Sequence, residues 1–211
     1  MFGDGSLTFR EFATREPHPV AMIHDAVLEF LRGRNDAVLQ GGQAVNAYVT
    51  ESRWTEDVDI ASPRAAELAE EVRSFLHDRF GIDVRIRGMK RGVGFRIDQT
   101  KELGGGRHLV DVRPVSGLPP YKRVRKVLVV TPPELIANKL TCMVSRRRTP
   151  RAFQDQTDLY RLLLALPELK TEEGPVAERL RAAKAGDDVM AAWKELVAQD
   201  IRAEEDHEEF L

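Results

Sequence analysis

Apolar and polar positions follow two different periods along this chain, and the change falls near Thr131. Val20, Ile23, Val27, Phe30 and Leu31 recur at the spacing of one helix face, which predicts an amphipathic helix over 19–32, ended by Gly33. Ala37-Val38-Leu39 predicts a short buried strand that stops at Gly41-Gly42, with a helix over 43–48. Residues 57–61 predict a strand. Ser62 and Pro63 suit the N-cap and first position of a helix reaching Phe80, with Gly81 as its C-terminal cap. Strands are expected over 83–87, 94–98 and 108–112, with Gly104-Gly105-Gly106 as the turn into the last, and again over 126–130. Beyond Thr131-Pro132-Pro133 the period is helical: 134–147, 153–166, 175–185 and 187–203, then a frayed acidic tail over 204–209. These elements predict an α+β fold. A mixed sheet flanked by helices fills residues 1–130, and a helical domain fills 131–211.

The 211 residues are 42% hydrophobic and 31% charged, enough for one good core or one core plus a small second domain. A net charge of -2 advertises neither nucleic-acid nor membrane binding for the chain as a whole. With Cys142 as the one cysteine, no intramolecular disulfide forms, which fits a reducing compartment. Residues 1–15 lack the apolar run of a signal peptide, and no stretch approaches the roughly 20 apolar residues of a membrane span. The expectation is a cytoplasmic protein with no membrane association. The five histidines (His18, His24, His77, His108 and His207) show no metal-ligand spacing, and no Ser/His/Asp arrangement stands out.

Candidate chemistry begins at Asp57 and Asp59. In a strand, alternate residues share a face, so these two carboxylates point one way while Val58 and Ile60 point into the core. Two adjacent carboxylates repel each other. A divalent cation such as Mg²⁺, which prefers carboxylate, water and phosphate oxygens, relieves that repulsion. A solvated strand face carries the same spacing. Asp111 adds a third carboxylate, set between Val110 and Val112 on another strand; it is either a solvated or structural aspartate or the third member of a metal cluster, able to accept a proton from an attacking hydroxyl. Upstream, Gly41-Gly42 lies between strand and helix. There glycine lets backbone approach a phosphate and the helix N-terminus favours an anion, although a plain tight turn uses glycines in the same way.

Two later helices carry polar residues on apolar stripes. Lys139 falls inside the arc of Leu135, Ile136, Leu140, Met143 and Val144. Asp155 and Asp158 extend the stripe of Leu159, Leu162, Leu163 and Leu166. A lysine there either snorkels to water or meets triphosphate oxygens. The three residues make either a shared polar cleft or a structural ion-pair network. Basic runs at Lys122-Arg123-Val124-Arg125-Lys126 and Arg146-Arg147-Arg148 with Arg151 are solvated faces or steer a nucleotide or RNA backbone.

Taken together, the pieces Gly41-Gly42-Gln43-Ala44, Arg53-x-Thr55-x-Asp57-x-Asp59, Pro133-Glu134-Leu135-Ile136-Ala137 with Lys139-Leu140, Arg146, and Asp155-Gln156-Thr157-Asp158-Leu159 span most of the chain. In that order they resemble the AbiEii/AbiGii toxin family of nucleotidyltransferases, within the polymerase-beta-like superfamily. The resemblance implies a nucleotidyltransferase-like fold whose helical C-terminal domain completes the active-site cleft. It implies transfer of a nucleoside monophosphate from an NTP, with two Mg²⁺ ions. Some members are toxins that modify tRNA and are neutralised by an antitoxin protein. Matched residue by residue, Asp57 and Asp59 would hold metal, joined by Asp111 from the strand reading above, and Lys139 would contact phosphate. Asp155 or Asp158 would assist catalysis or orient that lysine. Gly41, Gly42, Gln43, Arg53, Thr55 and Arg146 would line the nucleotide site. Gln43 stands where many members carry Ser or Thr, and the chain is shorter than many at its helical end. The expected acceptor is a hydroxyl of tRNA or another RNA. The alternatives are a small molecule such as an aminoglycoside, a protein side chain, or no turnover at all, in a silent nucleotide-binding or interaction module.

Overall fold

The computed structural model describes residues 18–100 and 106–203, with the backbone alone at Arg91. The expected Gly104-Gly105 turn, the stretch 1–15 and the acidic tail 204–209 lie outside these residues. Two compact units divide the chain, Met1–Thr131 and Pro132–Leu211.

The first unit contains α1 (Val20–Phe30), β1 (Val38–Gln40), α2 (Gly41–Asn46), β2 (Val58–Ser62), α3 (Ala65–Phe80), β3 (Val84–Gly88), β4 (Phe95–Thr100), β5 (Gly106–Pro114), β6 (Tyr121–Val124) and β7 (Val127–Val130). The strands form one mixed sheet in the order β3-β4-β5-β2-β1-β7-β6. β2 runs parallel to β5 and antiparallel to β1, and β1 runs parallel to β7. Helix α3 packs across β2 to β5, and α1 packs on α3 and β5. Alternation along the strands decides which face they cover. Val58, Ile60, Ile97, Val110 and Val112 are fully buried with Leu68, Val72 and Leu76 of α3, each large side chain contributing about 1.5–3 kcal/mol. The other face carries Asp59, Arg96, Asp98 and Asp111 of the same strands. Gly81 closes α3 in the left-handed region, φ 63°, its N–H donating to His77 O.

Two local expectations differ. Ser62 does not begin a helix: it ends β2, buried and paired with Pro114 of β5, and its Oγ accepts from the Arg64 N–H in the turn to α3. Sheet pairing outcompetes the capping signal. The basic run at 122–126 is exposed, as a solvated face is, but it forms the β6–β7 hairpin, whose first strand was not expected. Its two-residue turn, Arg125 and Lys126, takes positive φ at both positions (47° and 70°), the twist that hairpins favour.

The second unit is helical: α4 (Pro132–Ser145), α5 (Pro150–Ala165), α6 (Pro175–Ala182) and α7 (Asp187–Ala198). Thr149 caps α5 by accepting from the Ala152 N–H, with Pro150 in the first turn. Leu135, Ile136, Leu140, Leu159, Leu162, Leu180 and Trp193 fill its core. Among the described residues, no helix is long and apolar enough to cross a membrane.

Candidate active site

The glycine turn and the segment before β2 are built around each other. Gly41 opens α2 with φ 68°, a conformation that costs other residues strain, and a Cβ there would meet Asp59 Oδ2 at 2.1 Å. A Cβ on Gly42 would meet Thr55 Cγ2 at 2.8 Å and an Arg53 guanidinium nitrogen at 3.0 Å. Gln43 Nε2 donates to Thr55 Oγ1 at 2.7 Å. Buried Asn46 grips the Arg53 backbone from both sides, donating to its carbonyl at 2.8 Å and accepting from its N–H at 3.0 Å. Gly41, Gly42, Gln43, Arg53, Thr55 and Asp59 are thus brought together. Asn46, which no motif marks, pins the loop that delivers them.

On the charged face of the sheet, register sets out the next residues in a row. Gln40 of β1 lies opposite Asp59 of β2, Asp59 opposite Asp111 of β5, Asp111 opposite Arg96 of β4, and Arg96 opposite Arg87 of β3. Arg96 grips Asp111 with two bonds, Nε to Oδ1 and Nη2 to Oδ2, each 3.0 Å. Asp57, just before β2, reaches the same group through His108, whose Nδ1 lies 3.2 Å from Asp57 Oδ2 and whose Nε2 lies 2.8 Å from Asp111 Oδ1. Ligand atoms of Asp57, His108 and Asp111 all lie within 4.8 Å of one another. Asp59 stands outside that trio, against Gly41, with Arg113 Nη2 at 3.6 Å.

His108 comes to this face through an irregularity in β5. Asp98 of β4 pairs with His108 and Ile97 pairs with Val110, so Leu109 is an extra residue, a β-bulge. The bulge shifts the alternation by one and puts His108 on the side of Asp111, three residues away. Regular alternation sets residues three apart on opposite faces, which is why nothing in the spacing marks this histidine.

The ionisation of the group follows from its contacts. Burial alone would raise the pKa of Asp111, but His108 and Arg96 together hold it down at about 2. Burial opposes charge on His108, and the hydrogen bond and charge of Asp111, with the charge of Asp57, outweigh it, so its pKa lies above the ordinary value. Held this low, the Asp111 carboxyl keeps its negative charge at neutral pH. The oxygens of Asp57, Asp59 and Asp111 suit a hard divalent cation. His108 occupies both Asp57 and Asp111 from within the protein.

The helical unit holds the other marked residues in a buried ion cluster. Lys139 Nζ lies 3.1 Å from Asp155 Oδ1 and 2.7 Å from Asp158 Oδ2, and Arg146 Nε donates to Asp155 Oδ2 at 2.9 Å. Asp155 and Asp158 are almost fully buried. The lysine therefore turns inward between two carboxylates rather than snorkelling to water.

A family described as "Nucleotidyl transferase AbiEii toxin, Type IV TA system" matches residues 26–210. The chain belongs to this family. It is a nucleotidyltransferase of the AbiEii toxin group. No curated protein sequence matches it. The fold recurs in the Megavirus polyadenylate synthase, at TM-score 0.60 and 15% identity over 75% of this chain and 34% of that one. This AbiEii chain thus spans about a third of the polyadenylate synthase. It also resembles JHP933 from Helicobacter pylori, at TM-score 0.52 and 15% identity over 91% of this chain and 90% of that one. A second structure from the same bacterium has TM-score 0.52 and 15% identity, over 90% of this chain and 93% of that one. At these identities the likeness concerns the fold.

Proposed function

We propose that this AbiEii nucleotidyltransferase transfers a nucleoside monophosphate from an NTP to a hydroxyl of an RNA acceptor, with tRNA as the first candidate, and that an antitoxin protein restrains it. The observation that carries the reading is the cross-strand register of Asp59 and Asp111, with Asp57 joined to Asp111 through His108. In this reading Asp57, Asp59 and Asp111 hold Mg²⁺, in two positions. The metal supplies positive charge for the departing pyrophosphate and activates the attacking hydroxyl. Gly41 and Gly42 let backbone approach the triphosphate, and Arg53 adds charge beside that turn. In the same reading Lys139 contacts phosphate with Arg146 in support, and Asp155 or Asp158 assists catalysis or orients that lysine.

Each α-labelled NTP is incubated with the protein, Mg²⁺ and total tRNA, beside an Asp59→Ala control. Labelled tRNA from the wild type alone supports the reading. Label on a small molecule or protein instead keeps the transfer and replaces the acceptor. No transfer to any species, or equal transfer by the control, overturns it. One observation favours a silent module: Arg96 and His108 already engage both carboxylate oxygens of Asp111. That version predicts nucleotide binding with no turnover.

A further inference from the structure

The face that bears Asp59 and Asp111 does not end with them. Two cross-strand rows continue towards the β3 edge, one through Arg96 to Arg87, the other from His108 through Asp98 to Arg85. Arg113 shares the face one step from Asp111 along β5, its side chain 46% exposed. Arg87 is 52% exposed although it pairs with buried Asp98. Arg85 is exposed, and its side chain makes no hydrogen bond or ion pair among the described residues. Val84 and Ile86, which alternate with these arginines, are half-buried on the helix side.

The sheet order gives this arrangement a direction. Carboxylates stand on β2 and β5; the glycine turn follows β1 on one side of them, and the arginines lie on β4 and β3 on the other. A nucleotide held at the glycine turn leaves the arginine side open to the second substrate. Strands lie about 5 Å apart, so guanidinium groups from β5 to β3 cover roughly 10 Å. A series of cations over that span suits successive charges of a polymer better than one small anion. Arg87 lies directly opposite Arg96, and each guanidinium has a carboxylate beside it, Asp98 and Asp111 respectively. Edge strands do use arginine and lysine against aggregation, but that need stops at the edge, whereas these rows run inward to the carboxylates.

We infer that the arginine face of β3, β4 and β5, centred on Arg85, Arg87 and Arg113, binds the phosphodiester backbone of the acceptor RNA and leads its reactive end to Asp59 and Asp111. This inference rests on the proposed RNA acceptor.

Binding of end-labelled total tRNA to the full chain, followed by filter retention between about 50 and 200 mM salt, tests it. R85Q should lower affinity several-fold and reduce the slope of log affinity against log salt by about 0.9, and R85Q/R87Q by about twice that. R125Q/K126Q, on the hairpin at the opposite edge, should bind as wild type does. Should R85Q/R87Q unfold because Asp98 loses its partner, R85Q alone decides, since its side chain has no described partner to lose. Wild-type affinity and slope in a folded R85Q overturn the inference, as does an equal loss in R125Q/K126Q. Failure of the wild type to bind tRNA also overturns it. Pyrophosphate release from NTP, lost in Asp59→Ala, judges nucleotidyl transfer separately.

Discussion

Gly41 and Asp59 are in contact so close that a Cβ on the glycine would sit 2.1 Å from the aspartate Oδ2. Gly41 also holds φ 68°, where a side chain costs about 1–2 kcal/mol. Gly41→Ala should therefore displace Asp59 and lower nucleotidyl transfer by about 100-fold, the scale of a misplaced reacting group. Gly33→Ala is the control: φ there is 77°, but its Cβ would meet nothing within 4 Å. It should share the loss of thermal stability and keep the activity. Comparing melting and label transfer for both variants checks this; full transfer by Gly41→Ala would contradict the close fit.

Much of this was readable from the chain, for physical reasons that particular residues show. Val58 and Ile60 bracketing Asp59 announced a strand with one buried face, and Asp111 between two valines announced another. Lys139, Asp155 and Asp158 were visible because they interrupt apolar stripes, though the pattern alone did not say that they pair with one another. His108 was illegible because its position depends on a bulge, and a bulge has no signature in alternation. Strand β6 was illegible because Tyr121, Lys122 and Arg123 are all exposed at a sheet edge and show no period of two.

The grip on Asp111 has a consequence for acid stability. Its carboxyl is held at about 2 in the fold, against an ordinary 3.8. A depressed folded pKa gives stability that is complete above the unfolded value and lost as pH falls through the folded one. Between pH 5 and pH 2 the advantage of wild type over Asp111→Asn in urea unfolding should narrow by about 2 kcal/mol. A gap that stays constant across this range would show that Arg96 and His108 do not hold the carboxylate down.

The ion cluster of the helical unit should behave as a buried network. Asp158 is fully buried, so Asp158→Ala leaves Lys139 with one carboxylate fewer and should cost about 3–5 kcal/mol. The double variant Lys139→Met with Asp158→Leu removes both charges and should recover most of that loss, as measured by urea unfolding followed through helical circular dichroism. A double variant less stable than Asp158→Ala would contradict the coupling of these two residues.

The central claim is that the carboxylates on the charged sheet face are the centre of nucleotidyl transfer. Its most direct test is pyrophosphate release from NTP with Mg²⁺ and acceptor RNA, compared between wild type and the isosteric variants Asp57→Asn and Asp59→Asn. Both variants should melt within a few degrees of wild type and release pyrophosphate at least about 100-fold more slowly. Release at the wild-type rate by folded Asp59→Asn would contradict it.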